Sequence, residues 1–333
     1  MQAVEQQEHV GSEISLKDEL TALLAGCGVN RPDRTLLSLT GRDRVRWLNG
    51  MVSNNIRDLA PGHGVYAFVL SPQGHIQADI YAFNRGESLL VETDGAQGET
   101  VLQIFRKYII MDKVEIEDLS EKTAIISLSG PKSAELLAAL RLPANLAPLQ
   151  LCDAQLNGTA ATLVRGDNPC VPNYELHVAG DKVNAVWSEL LNQGAMPAGH
   201  EALEMFRILC GIPKLGQDIR ERTLPQETGQ DRALNFTKGC YIGQEIVERI
   251  RARGAVHRAF VGFEVEGPAP SAGTKIQSEG KDVGELTTVA AWPLKQKLLA
   301  LGFLRKEFID GSKTLTARDA KLKPVSVPFT NIF

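Results

Sequence analysis

The sequence predicts a strand-rich α+β protein that ends in a small β-barrel, and three observations carry that prediction. First, "TLLSLTGRDRVRWLNG" and "AIISLSGPKSAELLAAL" share a strand, a tight corner and a helix. Gly41 and Gly130 occupy the corners, an offset of 130 − 41 = 89 residues at which Leu36, Ser38, Leu39 and Leu48 match Ile125, Ser127, Leu128 and Leu137. Second, "GVYAFVL", "HIQADIYAF" and "SLLVET" follow one another as strands about a turn at Ser71-Pro72-Gln73-Gly74. Third, from Ala259 the chain becomes "AFVGFEVEG", "TKIQ", "VGELTTVAA", "LLALGFL" and "KTLTA", short strands between Gly, Pro and charged turns with no helical period.

Taken in order, the first dozen residues are polar and expected to be loose. "LKDELTALLAGCG" then sets Leu16, Leu20, Leu23 and Leu24 on one helical face and stops at Gly26. The corners at Gly41 and Gly130 lack the further glycines and the lysine of a phosphate-cradling loop, so a tight strand-to-helix turn is the better reading. After the three strands, "TVLQIFRKYI" predicts a helix with Val101, Leu102 and Phe105 inward.

Composition narrows the function classes. At 333 residues and 43% hydrophobic content the chain can bury a full core over two or three domains. Forty acidic against 36 basic side chains give a formal charge of −4, which excludes a global electrostatic grip on nucleic acid or an anionic membrane. The N-terminal stretch "MQAVEQQEHVGSEIS" has no secretory pattern and no run approaches the roughly 20 apolar residues of a membrane span, so a cytoplasmic protein is expected. Cys27, Cys152, Cys170, Cys210 and Cys240 are odd in number and far apart, which argues against a disulfide framework. The six histidines are scattered and no Cys-x-x-Cys occurs, so no metal site is expected on this chain alone.

Three segments can carry chemistry. In "GHIQADIYAF" strand alternation places Gln77, Asp79, Tyr81 and Phe83 on one face, and a carboxylate beside aromatic surface suits a base or an amine binder. In "ERIRARGAVHR" Arg249, Arg251 and Arg253 would share a face on a strand, with His257 and Arg258 beyond, and arginine forks suit carboxylates or phosphates. In "TKGCYIGQE" Cys240 is a lone thiol that either packs or reacts; Lys238 and the helix start in "CYIGQEIVERI", with Ile242, Ile246 and Ile250 inward, would favour its thiolate.

The run "LPQETGQDRALNFTKGCYIGQEIVERIRARG" resembles the signature of YgfZ-type folate-binding proteins, which are related to the glycine-cleavage T-protein and to a mitochondrial iron–sulfur assembly factor. Lys238, Gly239, Cys240, Tyr241, Gly243, Gln244 and Glu245 fill every fixed place of the pattern Lys-Gly-Cys-Tyr-x-Gly-Gln-Glu. Similarity extends through "LLSLTGRDRVRWLNGMVSNNI", "LSPQGHIQADIYAF" and "CGIPKLGQDI", nearly the whole chain.

The resemblance implies a T-protein-like ring of two α+β domains and a C-terminal β-barrel around a tetrahydrofolate channel. It implies a discontinuous folate-binding domain over 15–55 and 120–225, a second over 56–119 and 226–252 carrying the cysteine motif, and the barrel over 255–330. It assigns Cys240 as the key residue, with Lys238 favouring its thiolate, Gly239 and Gly243 allowing close turns, and Gln244 and Glu245 orienting neighbours. Asp79 stands where the T-protein has the carboxylate that acts on the folate nitrogen, and Arg207 and Arg258 are candidate cofactor-binding residues. Leu209 falls where the T-protein has its pterin-binding glutamate, which Glu204 is not placed to replace, and Ile332 and Phe333 fall where it has a substrate tyrosine. These departures argue against aminomethyl transfer from a lipoyl carrier. The implied function is a folate-binding accessory of iron–sulfur protein assembly or repair, with client enzymes that include tRNA-modifying ones. The alternatives are a folate-dependent C1 transferase using Asp79 as base, and a tRNA-binding module using Arg249, Arg251, Arg253 and Arg258.

Overall fold

Two sheets and a closed barrel form the computed structural model, which describes residues 14–254 and 256–329. The first dozen residues and the Ile332–Phe333 pair lie outside them. The α+β class with a terminal barrel is the class the sequence predicts. The opening helix Leu16–Ala25 is capped by Ser15, whose Oγ accepts from the Asp18 amide, and buries Leu20 and Leu23.

The first sheet has six strands in the order Met196–Pro197, Gly28–Asn30, Thr123–Ser129, Asn173–Ala179, Thr159–Arg165 and Leu151–Leu156. The second has five, in the order Gly64–Leu70, Ile76–Asn84, Leu89–Asp94, Arg34–Thr40 and Glu115–Asp118. The turn at Ser71–Gly74 closes as expected, with the Gly74 amide donating to the Ser71 carbonyl at 2.8 Å. The helix Gly95–Tyr108 turns Val101, Leu102 and Phe105 into the core of this sheet.

The two strand–corner–helix units belong to different sheets. Arg34–Thr40 pairs antiparallel with Leu89–Asp94, and the following helix Arg44–Met51 buries Trp47, Leu48 and Met51 among Ala67, Val69, Ala78 and Ile80. Residues 34–55 therefore belong with the second sheet rather than with the first unit, where the sequence reading expects them. Long-range pairing decides this, and an internal likeness between two segments carries no information about which sheet each one joins. Both corners are filled by backbone: a Cβ on Gly41 would lie 2.2 Å from the Lys113 carbonyl oxygen, and one on Gly130 would lie 2.4 Å from that of Gly26. They are packing corners without room for a phosphate.

The barrel closes in the order Arg258–Glu266, Lys297–Arg305, Lys281–Trp292, Lys275–Ser278, Leu315–Ala317 and Ala320–Val325. Its last strand, "AKLKPV", is not among the strands the sequence predicts; it closes the barrel by pairing with Arg258–Glu266. The helix His200–Cys210 buries Phe206, Ile208 and Leu209 against the barrel's Phe260, Leu299, Leu301 and Phe303. Burial of each such side chain stabilises the junction by about 1.5–3 kcal/mol.

Candidate active site

A cavity of about 910 Å³ is lined from both sheets, from the helix His200–Cys210 and from the segment that follows it. Strand alternation brings Asp79 and Tyr81 to this cavity together, as the sequence predicts, while Ala78, Ile80 and Ala82 are buried on the other face. Asp79 is held as an acceptor on both oxygens: Tyr66 Oη donates to Oδ2 at 2.8 Å and Gln97 Nε2 to Oδ1 at 2.8 Å. The Asp79 amide returns a bond to Gln97 Oε1 at 2.9 Å, which fixes the strand against the helix carrying Gln97. Burial, and then the charge of Asp79, raise the Tyr66 pKa; burial and Asp167 raise that of Tyr81. Both phenols therefore remain donors at neutral pH.

Tyr66 and Tyr81 stand 5.0 Å apart between ring centres, and the Arg232 guanidinium lies 4.0 Å above the Tyr66 ring. Arg232 is ion-paired with Asp167, which also accepts from Tyr81 Oη at 3.1 Å. This wall of two aromatic rings, one cation and two carboxylates comes from residues 66, 79, 81, 167 and 232, so only its Asp79–Tyr81 part was visible as a pattern. Elsewhere in the lining Arg31 stacks on Trp187 at 4.7 Å and Lys214 approaches Glu204 at 4.0 Å.

Arg207 lines the cavity, but four of its five N–H donors are engaged within the protein. Nε and Nη2 donate to Glu204 at 3.0 and 2.7 Å, and Nη1 donates to Asp218 at 2.8 Å and to the Ile212 carbonyl. It clamps the helix end to the next loop and is not free to hold a ligand anion. Leu209 is fully buried in the barrel-facing core, whereas Glu204 lines the cavity beside Arg207. Glu204 and Leu209 stand on different faces of this helix, as the sequence predicts, but it is the carboxylate at 204 that faces the cavity and position 209 that faces away, because three residues cover nearly one turn and five carry the chain to another face. Arg258 is also displaced from its expected role. It forks onto Glu227 at 2.8 and 2.9 Å and covers the Phe303 ring at 4.6 Å, beside a separate cavity of about 270 Å³.

The cysteine motif builds a different kind of site. Lys238 is buried and its Nζ donates to the carbonyls of Asn49, Val52 and Asn54 at 2.6, 2.6 and 2.7 Å. Burial draws its pKa down to about 7, against three acceptors that hold a proton on the nitrogen. The ammonium thus ties the end of the helix Arg44–Met51 to the motif and does not serve the thiol, while Cys240 itself is exposed. Tyr241 is buried with Phe68, Leu70, Ile76 and Val247, its ring 4.9 Å from the Lys238 ammonium. Gly243 requires its residue type: φ is +83° and a Cβ would lie 2.6 Å from the Ser71 carbonyl oxygen. Gly239, by contrast, has open space around it. Gln244 starts the helix Gln244–Arg253, and Glu245 pairs with Arg249 one turn on.

That helix corrects two further expectations. Arg249 and Arg251 follow a helical period, not a strand's, and bond to Glu245 and Glu248 of the same helix; the Arg253 side chain lies outside the described residues. The inward residue is Val247, fully buried, with Ile242 and Ile246 only partly covered. Motif and cavity meet through Asn54. Its backbone carbonyl accepts from Lys238, and its side-chain amide donates at 2.8 Å to the carbonyls of both Tyr66 and Arg232. Cys240 is not among the residues lining the cavity.

Residues 31–238 match the GCVT N-terminal domain family and residues 257–329 match the CAF17 C-terminal beta-barrel domain. A putative chloroplastic transferase of Arabidopsis thaliana is 25% identical over 284 residues, which span 84% of this chain and 65% of that relative. The aminomethyltransferase of Rubrobacter xylanophilus is 27% identical over 88% of this chain and 80% of its own length. The crystal structure of the glycine cleavage system aminomethyltransferase T from Bartonella henselae covers 95% of this chain and 90% of that one, with a TM-score of 0.85 at 18% identity, a likeness of fold. No helix among the described residues is long and apolar enough to cross a membrane.

Proposed function

The chain belongs to the GCVT N-terminal domain family, and on that premise we propose that it is a folate-binding accessory protein of the YgfZ type, acting in iron–sulfur cluster assembly or repair. The observation that carries this reading is the division of labour in the fold: an exposed thiol at Cys240 on a mount of buried motif residues, and a separate cavity with Asp79 at its aromatic wall.

The cavity's chemistry fits a reduced folate. Its volume of about 910 Å³ lies within the roughly 300–1,000 Å³ usual for small-molecule sites. Tyr81 offers aromatic surface to a pterin ring, and Asp79 retains lone pairs for its N–H donors. Arg31 and Lys214 are placed for the anionic tail, a role that Arg207 and Arg258 cannot take while clamped by their carboxylates. Bound tetrahydrofolate would supply a secondary amine nitrogen able to carry a one-carbon unit. The clients proposed are iron–sulfur enzymes, tRNA-modifying ones included, or their assembly factors, reached through the Cys240 surface.

A second reading, a folate-dependent C1 transferase with Asp79 as base, is favoured by the position of Asp79 in the cavity wall. A direct tRNA grip by Arg249 and Arg251 gains nothing, because both are paired within their own helix.

Complementation of a deletion strain separates the readings. Cys240→Ala should fold normally and fail to restore iron–sulfur enzyme activities, and Asp79→Asn should weaken tetrahydrofolate binding in a direct titration. Full rescue by Cys240→Ala would sink the cysteine-centred reading. Methylene transfer from an amine donor, lost in Asp79→Asn and kept in Cys240→Ala, would install the transferase in its place.

A further inference from the structure

Between the two sheets lies a polar cluster that neither the thiol nor the cavity uses. Glu175 and His177 project from one face of the strand Asn173–Ala179, and Glu92 meets them from the strand Leu89–Asp94 of the other sheet. Apolar contacts of Leu36, Phe83, Leu90, Ile125 and Val164 form the rest of this interface. Glu92 and His177 are only 1% and 6% exposed, and Glu92 Oε2 and His177 Nε2 have no hydrogen-bond partner. Leaving such groups unpaired in an apolar interface costs about 1–3 kcal/mol each.

The spacing of these atoms says what would satisfy them. His177 Nε2 lies 3.6 Å from Glu92 Oε2 and 3.7 Å from Glu175 Oε2, and the three ligand atoms fall within 4.8 Å of one another. A direct hydrogen bond needs about 2.7–3.2 Å. A bridging water about 2.8 Å from each partner would hold two acceptors about 4.6 Å apart at a tetrahedral angle. An ion with bonds of about 2.1 Å holds tetrahedral neighbours about 3.4 Å apart, close to the 3.6 and 3.7 Å gaps at His177 Nε2. The charge also fits: Arg34 Nε stands 3.2 Å from Glu92 Oε1, the other oxygen, so two carboxylates and one guanidinium leave a net negative site around an imidazole. His177 borders a second cavity of about 740 Å³, which supplies an entry path from solvent.

The geometry points to a divalent transition-metal site of the zinc class formed by Glu92, Glu175 and His177 between the two sheets. One imidazole and two carboxylates are the donor set for such an ion, and hard-cation sites are built from oxygen alone. This departs from the sequence expectation that the scattered histidines hold no metal: Glu175 and His177 are a two-residue spacing on a strand, and their third ligand is 83 residues away (175 − 92 = 83). The bound ion would tie the sheets together beside Arg34, which reaches the large cavity.

The test is metal uptake by the full chain after stripping with a chelator. Titration with zinc chloride should show one equivalent bound, and His177→Gln and Glu175→Gln should each lower its affinity by more than the roughly 10–100-fold that loss of an outer partner costs. Cobalt(II) should fill the same site with the visible bands of oxygen and nitrogen ligation and no thiolate charge-transfer band. Failure to take up either ion overturns the proposal, as does uptake unchanged in both variants. A thiolate band at one equivalent also overturns it, by placing the metal on a cysteine. If the variants do not fold, the wild-type cobalt spectrum decides.

Discussion

The cysteine motif and the large cavity solve opposite problems. Eight consecutive residues make the motif, and its buried members hold structure: Lys238 ties three carbonyls, Tyr241 fills a core, Gly243 allows a contact that a Cβ would forbid, and Cys240 is presented to solvent. The cavity wall is the reverse, with Tyr66, Asp79, Tyr81, Asp167 and Arg232 gathered from distant segments and each turned toward one space. A contiguous motif can thus be mainly a mount, and a dispersed set can be the binding chemistry. Asn54 joins the two, since it accepts from Lys238 and holds the backbones of Tyr66 and Arg232.

The largest expected effect tests which side of the helix His200–Cys210 faces the cavity. Leu209→Glu would place a carboxylate among Phe206, Trp292 and Phe329, and should cost about 4 kcal/mol or more in denaturant unfolding. A stable variant with tighter tetrahydrofolate binding would show that position 209 serves the cavity after all. Lys238→Met should cost about 2–4 kcal/mol, because three buried carbonyls lose their donor, whereas Cys240→Ala should stay within about 0.5 kcal/mol. Equal stabilities for the two would dissolve the distinction between mount and presented thiol.

Tyr66→Phe removes one of the two donors to Asp79 and should cost about 1 kcal/mol, with weaker tetrahydrofolate binding as the accompanying readout. Thiol alkylation followed by mass spectrometry should label Cys240 first. Burial raises the Cys27 pKa to about 12 and pushes Cys210 up as well, so both remain thiols as the pH climbs from 7 to 9 and should be labelled only on unfolding. The smallest effect belongs to Arg249→Ala, within about 0.5 kcal/mol, since its pair with Glu245 is exposed.

Much of this was legible from residues. The alternation around Asp79 put Tyr81 beside it, and the turn at Ser71–Gly74 and the inward face of the helix Gly95–Tyr108 follow from local pattern alone. Tyr66 lies in a largely apolar strand, and its hydroxyl gains a partner only through the pairing register, which sets Tyr66 across from Tyr81 and one diagonal step from Asp79. Asp167 lies in an irregular segment and Arg232 in a single 3-10 turn, Asp231–Ala233, too short for a period to assign a direction to a side chain. Arginines at every second position fit a strand by spacing alone, and the helix that starts at Gln244 is what places Arg249 and Arg251 beside Glu245 and Glu248.

By itself the sequence determined the class of the fold, the strand face around Asp79, the inward faces of the helices Leu16–Ala25 and Gly95–Tyr108, and the presence of a complete motif, because these depend on spacing along the chain. Tertiary structure alone decided that residues 34–55 join the second sheet, that Lys238 serves carbonyls and not the thiol, that Arg207 and Arg258 are clamped by acids, and that Glu92 meets Glu175 and His177. Each of those outcomes is set by which distant groups share a low-dielectric interior, where an unpaired charge or carbonyl is costly enough to fix its partner.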